Sequence, residues 1–144
     1  MSYSLDVNIL LYASAATSPL HDRATSFLRE CREGDDLLCL TWLTVMSYLR
    51  MVTHPGIISP PLAPVQATKN VDALLGLPQC RLLTEQEGFW DVYCDVTRDL
   101  AVRGKLVPDA HLAALLRQHG VGRLYSNDRD FRKFDFLDVR NPLE

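Results

Sequence analysis

The sequence predicts an α/β protein of three layers, with helices on both faces of a central parallel sheet of four or five strands. Three observations carry that prediction. Short apolar runs recur at Tyr3–Leu5, Leu37–Leu40, Cys80–Leu83, Arg123–Ser126 and, more weakly, Leu137–Arg140. Between them lie longer segments whose apolar residues repeat at helical spacing. Alternation of the two, strand after helix along the whole chain, calls for a parallel sheet covered on both sides.

Taken in order, a strand at about residues 2–6 carries Asp6 at its carboxyl end, and a helical turn follows from Val7. His21 to Glu33 is a helix presenting Ala24, Phe27, Leu28 and Cys31, and Gly34 ends it. The run Leu37–Leu40 has the continuous apolar character of a strand covered on both faces. Thr41 then caps a helix in which Trp42, Val45, Met46, Leu49 and Val52 follow the 3.6-residue period, stopped by His54-Pro55-Gly56. After the proline-rich loop Ser59–Pro64, a helix spans about Val65 to Leu75, with Gly76 behind it. Cys80–Leu83 is the third strand. The next helix is expected over about Glu85 to Val102, with Phe89, Val92, Tyr93, Val96 and Leu100 on one side. The stretch from Leu106 to Gly120 has Pro108 in its first turn and His119-Gly120 as its stop. Trp42 and Trp90 occupy positions expected to pack in the core.

Composition bounds the possibilities further. A chain of 144 residues, 47% apolar and 23% charged, is an ordinary globular domain, with no apolar run long enough for a bilayer and no basic-then-apolar leader. Cys31, Cys39, Cys80 and Cys94 form no C-x-x-C pair, which suggests reduced thiols and a cytoplasmic protein. The net charge of -3 argues against bulk electrostatic binding of nucleic acid, although a local basic patch remains compatible with it. The four histidines show no metal-ligand spacing.

Topology then decides what the acids do. Asp6 ends the first strand, and Asp128 follows the fourth strand by two residues. Asp109 opens the helix that feeds the fourth strand and runs against it, so all three reach the carboxyl edge of the sheet. Asp109 also lies in line with Leu112, Ala113 and Leu116, the face that a soluble helix buries. A lone aspartate there would simply favour the helix dipole. Three converging carboxylates instead take up protons or hold a cation, and oxygen-only ligands suit Mg²⁺ or Mn²⁺. Such an ion neutralises a phosphodiester oxygen and acidifies a water, which is phosphodiesterase chemistry. Arg103 and Lys105 precede the Asp109 helix and Arg129 follows Asp128. They are either solvated loop charge or contacts to RNA phosphates at the rim.

The motifs Leu5-Asp6-Val7-Asn8-Ile9-Leu10, Val107-Pro108-Asp109-Ala110-His111-Leu112-Ala113-Ala114-Leu115 and Tyr125-Ser126-Asn127-Asp128-Arg129-Asp130-Phe131 resemble those of the PIN-domain ribonucleases, and within them the VapC toxins of toxin–antitoxin pairs. Trp42 to Pro55, with Tyr48-Leu49-Arg50 and Thr53-His54-Pro55, is similar to the third helix of that group. The resemblance covers residues 1–144 as a single PIN domain. It implies a Mg²⁺- or Mn²⁺-dependent endoribonuclease that cleaves structured RNA, with a transfer RNA as a family-level substrate, a protein antitoxin as partner, and a homodimer. It assigns Asp6 and Asp109 as metal ligands, Asp128 as the further site acid, and Asn8 and Ser126 as polar support. One position departs from the family. The glutamate usual before the aromatic-Leu-Arg segment is Ser47 here, and no acid occurs from Trp42 to Thr53. Asp130 is a nearby acid. The alternative reading is therefore a weakened or inactive scaffold that acts by binding RNA or an antitoxin. Haloacid dehalogenase-type and receiver-type sites fit less well, because each needs a further acid near Asp6 and a site lysine.

Overall fold

Five strands, all parallel, form one sheet in the computed structural model, which describes residues 1–144. They are β1 (Ser2–Leu5), β2 (Leu37–Thr41), β3 (Cys80–Leu83), β4 (Arg123–Tyr125) and β5 (Asp138–Arg140), in spatial order β3-β2-β1-β4-β5. The helices are α1 (Val7–Ser14), α2 (His21–Glu33), α3 (Trp42–Val52), α4 (Pro64–Leu75), α5 (Phe89–Thr97) and α6 (Leu106–Gln118), and a 3-10 helix covers Arg129–Lys133.

Strand alternation sorts the core into two layers. On β2, Leu38 and Leu40 join Leu5, Ile9, Leu28, Val45, Val52 and Val71 in one buried cluster, built on α1 to α4. Cys39, between them in sequence, faces the opposite way and joins Leu83, Leu124, Ala113, Leu116, Phe131 and Phe134 in the second, built on α6 and the C-terminal segment. Two buried faces explain why the strand runs are continuously apolar.

The order of strands places the site. The chain builds outward from β1 to β2 and β3 on one side, then returns to lay β4 and β5 on the other. The order therefore reverses between β1 and β4, and the carboxyl ends of those two strands border the crevice where open parallel sheets take ligands. Leu5 pairs with Tyr125, and the Asp6 amide donates to the Tyr125 carbonyl at 2.9 Å. The last ladder rung thus stands directly beneath Asp6.

Most element boundaries match the sequence expectation; α1, α5, Trp42, Met46 and Trp90 depart from it. α1 is a full helix of eight residues where a turn was expected. α5 is only nine residues long, against the expected span from Glu85 to Val102. Gly88 begins it in the left-handed conformation, and none of its residues is fully buried, so packing does not extend it in either direction. Trp42 and Trp90 are not core residues: they are 45% and 70% exposed. Met46, on the same period as Trp42, is 54% exposed. The reason is that α3 is apolar on more than one side. Thr44, Val45, Tyr48 and Val52 take the inward face, leaving Trp42 and Met46 on another. Trp90 stacks on Tyr93 at the surface, with ring centroids 5.6 Å apart.

Candidate metal and nuclease site

Asp6 is the residue between β1 and α1, and its side chain caps the helix. Its Oδ1 accepts the Val7 amide at 2.7 Å, and its Oδ2 accepts the Ser126 hydroxyl at 2.7 Å. With 7% exposure it is nearly dry. Burial pushes its pKa up, while the Ser126 hydroxyl and the Val7 amide pull it back and Asp128 adds a further upward push.

Ser126 couples two of the acids. It follows β4, is 2% exposed, and donates to Asp6 while accepting the Asp128 amide at 2.9 Å. Both hydrogen-bonding roles of one hydroxyl are thereby used. Asp128 in turn caps the 3-10 helix, its Oδ1 accepting the Asp130 amide at 2.9 Å. The segment after β4 is a chain of side-chain-to-backbone turns that presents Asp128 and Asp130 from one short loop.

Asp109 arrives from α6. Pro108 is the third residue of that helix, where a missing amide hydrogen costs nothing, and Ala110, Leu112, Ala113 and Leu116 are buried behind Asp109. Its carboxyl group is pushed up to about 6, first by burial and then by Asp128, Asp6 and Asp130, with Lys105 opposing. One oxygen each from Asp109, Asp128 and Asp130 falls within 4.8 Å of the others. The chemistry of this donor set fits a hard divalent cation: only oxygens converge, and the crowding that raises Asp109 is the cost that a cation relieves.

The other expected residues divide. Asn8 donates to Asn127 at 3.4 Å, and Asn127 reaches the Tyr12 hydroxyl at 3.5 Å, tying α1 to the loop that carries Asp128. The role of Asn127 was not evident from composition or periodicity, and its position between Ser126 and Asp128 is the one signal the sequence holds for it. Ser47 forms no hydrogen bond with any of the acids. It lines a groove of about 390 Å³ with Trp42, Met46, Arg50, Glu85 and His111. His111 bonds Glu85 at 2.7 Å, which holds the Glu85 carboxyl below its usual range. Arg103, Lys105 and Arg129 are all exposed and lie next to the segments that deliver Asp109 and Asp128. None of the three is in an ion pair.

Acidic side chains thus gather at the reversal point of a parallel sheet. The pattern of the PIN domain matches residues 3–137. The chain is 43% identical over 143 residues to Ribonuclease VapC48 of Mycobacterium tuberculosis, covering 99% of both sequences. Among solved structures it is similar to VapBC2 from Rickettsia felis bound to a DNA fragment from the promoter, with a TM-score of 0.70, 16% identity and 98% of each chain covered. It is also similar to Mycobacterium tuberculosis VapC20, a Sarcin-Ricin loop cleaving toxin, with a TM-score of 0.69 and 16% identity over 96% of this chain and 98% of that one. The chain belongs to the PIN domain family, and within it to the VapC ribonucleases, which are hydrolases acting on RNA.

Proposed function

We propose that this protein is the toxin of a type II toxin–antitoxin pair, an endoribonuclease that depends on Mg²⁺, with Mn²⁺ able to substitute. The observation that carries the reading is the convergence of Asp6, Asp109 and Asp128 at the β1–β4 reversal, with the Asp109 carboxyl raised to about 6 by burial and by its neighbours. Asp6 and Asp109 hold the ion, and Asp128 completes the acidic wall. When bound, the ion neutralises a phosphate oxygen and makes a water more acidic. The chain's own residues do the rest. Ser126 fixes the rotamer of Asp6 through one donated bond, and Asn8 with Asn127 holds α1 against the Asp128 loop. Arg103, Lys105 and Arg129 attract and position the phosphates of a structured RNA, a transfer RNA among the candidates.

The partners follow from the same reading. A cognate antitoxin protein covers the site. A second copy of the chain forms a homodimer, and the exposed Trp42 and Met46 on α3 offer apolar surface for such contacts. No helix is long and apolar enough to cross a membrane; the proposed compartment is the cytoplasm.

One observation favours a second reading. α3 carries no acid, and its Ser47 reaches none of the site carboxylates, as expected of a weakened scaffold that binds RNA or antitoxin without cutting. Cleavage of a labelled folded RNA with Mn²⁺ or with chelator separates the two. The nuclease reading expects metal-dependent cleavage that Asp109→Asn abolishes. Cleavage that persists in chelator, or is absent with Mn²⁺ present, overturns it.

A further inference from the structure

We infer that the groove between α3 and α6 is a subsite for one unstacked guanine base of the RNA, next to the phosphate that is cut. The inference rests on the nuclease reading above and adds to it a determinant of sequence preference. The groove encloses about 390 Å³, within the range of roughly 300–1,000 Å³ that small-molecule sites occupy. Leu43, Leu83 and Leu115 give it apolar walls, and its polar groups are few: Ser47, Arg50, Glu85 and His111. Apolar walls with a small number of placed donors and acceptors suit a flat, hydrogen-bonding ring. The sheet register sets its distance from the acids. Ser4 pairs with Cys39 and Thr41 with Leu83, so Asp6 stands level with the ends of β2 and β3. Trp42 and Glu85, one and two residues beyond those ends, line the groove. At about 4.8 Å per strand, the groove lies one to two strand spacings, roughly 5–10 Å, from Asp6. A nucleotide adjoining the cleaved phosphate spans that distance.

Glu85 is held ready for such a base. The segment that carries it after β3 is pinned to the end of α6 on both sides. His119 donates to the Thr84 carbonyl at 2.7 Å, and the Gln86 amide donates to the Gln118 side chain at 2.9 Å. Gln118 in turn donates to the Gln86 and Glu87 carbonyls at 3.1 and 3.3 Å. The Glu85 carboxylate itself accepts from His111 Nε2 at 2.7 Å, and the His111 ring packs on Phe89, with centroids 5.5 Å apart. A carboxylate has about four acceptor positions, and His111 fills one of them. Rigid placement of this kind lowers the ordering cost of binding.

The pairing of charges selects the base. Among the four bases, guanine alone shows two adjacent donors on its Watson–Crick edge, N1–H and the N2 amino group, which one carboxylate takes together. Beside them guanine carries the O6 acceptor, and an arginine donates to O6 or N7. Arg50 lines the same groove as Glu85 and is in no ion pair. A basic side chain from a protein partner would satisfy Glu85 but would meet Arg50 as a like charge. An acidic one would meet Glu85. Guanine satisfies both.

The test titrates the full chain, in chelator, with the monophosphates of guanosine, inosine, adenosine, cytidine and uridine. Binding is read by nuclear magnetic resonance at the Trp42 indole and the groove amides. Guanosine monophosphate should shift these signals and bind about tenfold or more tightly than the inosine compound, which lacks only the N2 amino group. The other three should bind no better than inosine monophosphate. Glu85→Gln replaces one acceptor oxygen by a donor at a half-exposed position, so the fold is kept and the preference for guanine should vanish. Arg50→Ala should weaken guanosine monophosphate while leaving the inosine penalty in place. In cleaved RNA, sequenced ends should carry guanine beside the cut for the parent and lose that bias in Glu85→Gln. If all five nucleotides bind alike, or none perturbs the groove, while the parent cleaves RNA with Mn²⁺, this inference is overturned and the nuclease reading stands. If no nucleotide perturbs the groove but Glu85→Gln shifts the monomer–dimer balance in sedimentation, the groove belongs to a protein interface and the inference is likewise overturned. If the parent cleaves no RNA with Mn²⁺, the nuclease reading fails and this inference with it.

Discussion

Replacing Asp109 by asparagine should make the metal-free protein more stable near neutral pH, although it removes a site residue. The folded-state pKa of about 6 stands above the ordinary 3.8. A carboxyl group with a raised folded pKa holds its proton longer in the folded state than in the unfolded one. Stability therefore falls as pH rises through the window from 3.8 to about 6, and the whole penalty is present above it. Two pH units correspond to roughly 3 kcal/mol as an upper bound, and solvent screening at a half-buried site leaves about 1–2 kcal/mol. Losing the favourable placement of a negative charge in the first turn of α6 takes back about 0.5 kcal/mol. The net gain is about 1 kcal/mol, or about 2–4 °C in Tm for a chain of this size. Thermal melts followed by circular dichroism, in chelator at pH 7.5 and at pH 4.5, measure it. The gap between Asp109→Asn and the parent should be present at pH 7.5 and shrink toward pH 4.5, where Asp109 is already protonated. Mn²⁺ at pH 7.5 should raise the Tm of the parent alone and close the gap from the other side. A variant that is less stable by the same amount at both pH values would refute the claim that charge crowding, and not packing, dominates at Asp109.

Other outcomes follow from the same geometry. Ser126→Ala leaves the Asp128 amide without its acceptor and Asp6 Oδ2 without its donor in a nearly dry site, so it should cost about 1–3 kcal/mol in urea unfolding and weaken Mn²⁺ binding as well. Ser47→Glu alone should tighten Mn²⁺ binding and raise the rate of RNA cleavage; no change in either would mean that this position does not face the ion. Trp42→Glu should cost the monomer about 1–2 kcal/mol, because the ring is 45% exposed, yet should shift the proposed homodimer toward monomer in sedimentation equilibrium. A loss of several kcal/mol would show that Trp42 packs after all.

How far the chain could be read by itself depended on which interactions settle each feature. Helix and strand identities came from periodicity, a local property, and the helix ends from Thr41, Pro108 and Gly120, which act within a turn of themselves. The meeting of Asp6, Asp109 and Asp128 was legible because a parallel sheet with alternating helices permits only one edge for all three. Side-chain facing was not. α3 carries more apolar residues than one face can bury, and only its packing against α1 and α4 selected Tyr48 over Trp42 for the interior. The same holds for α5, whose apolar pattern extends beyond the helix that tertiary contacts support. The finer order within the acidic cluster was also decided in three dimensions. Asp109, Asp128 and Asp130 each bring an oxygen within 4.8 Å of the others, while Asp6 is held by the Ser126 hydroxyl. The placement of Asp6 beside the loop after β4 joins segments more than 100 residues apart and is set by the pairing of β1 with β4, not by any local sequence preference.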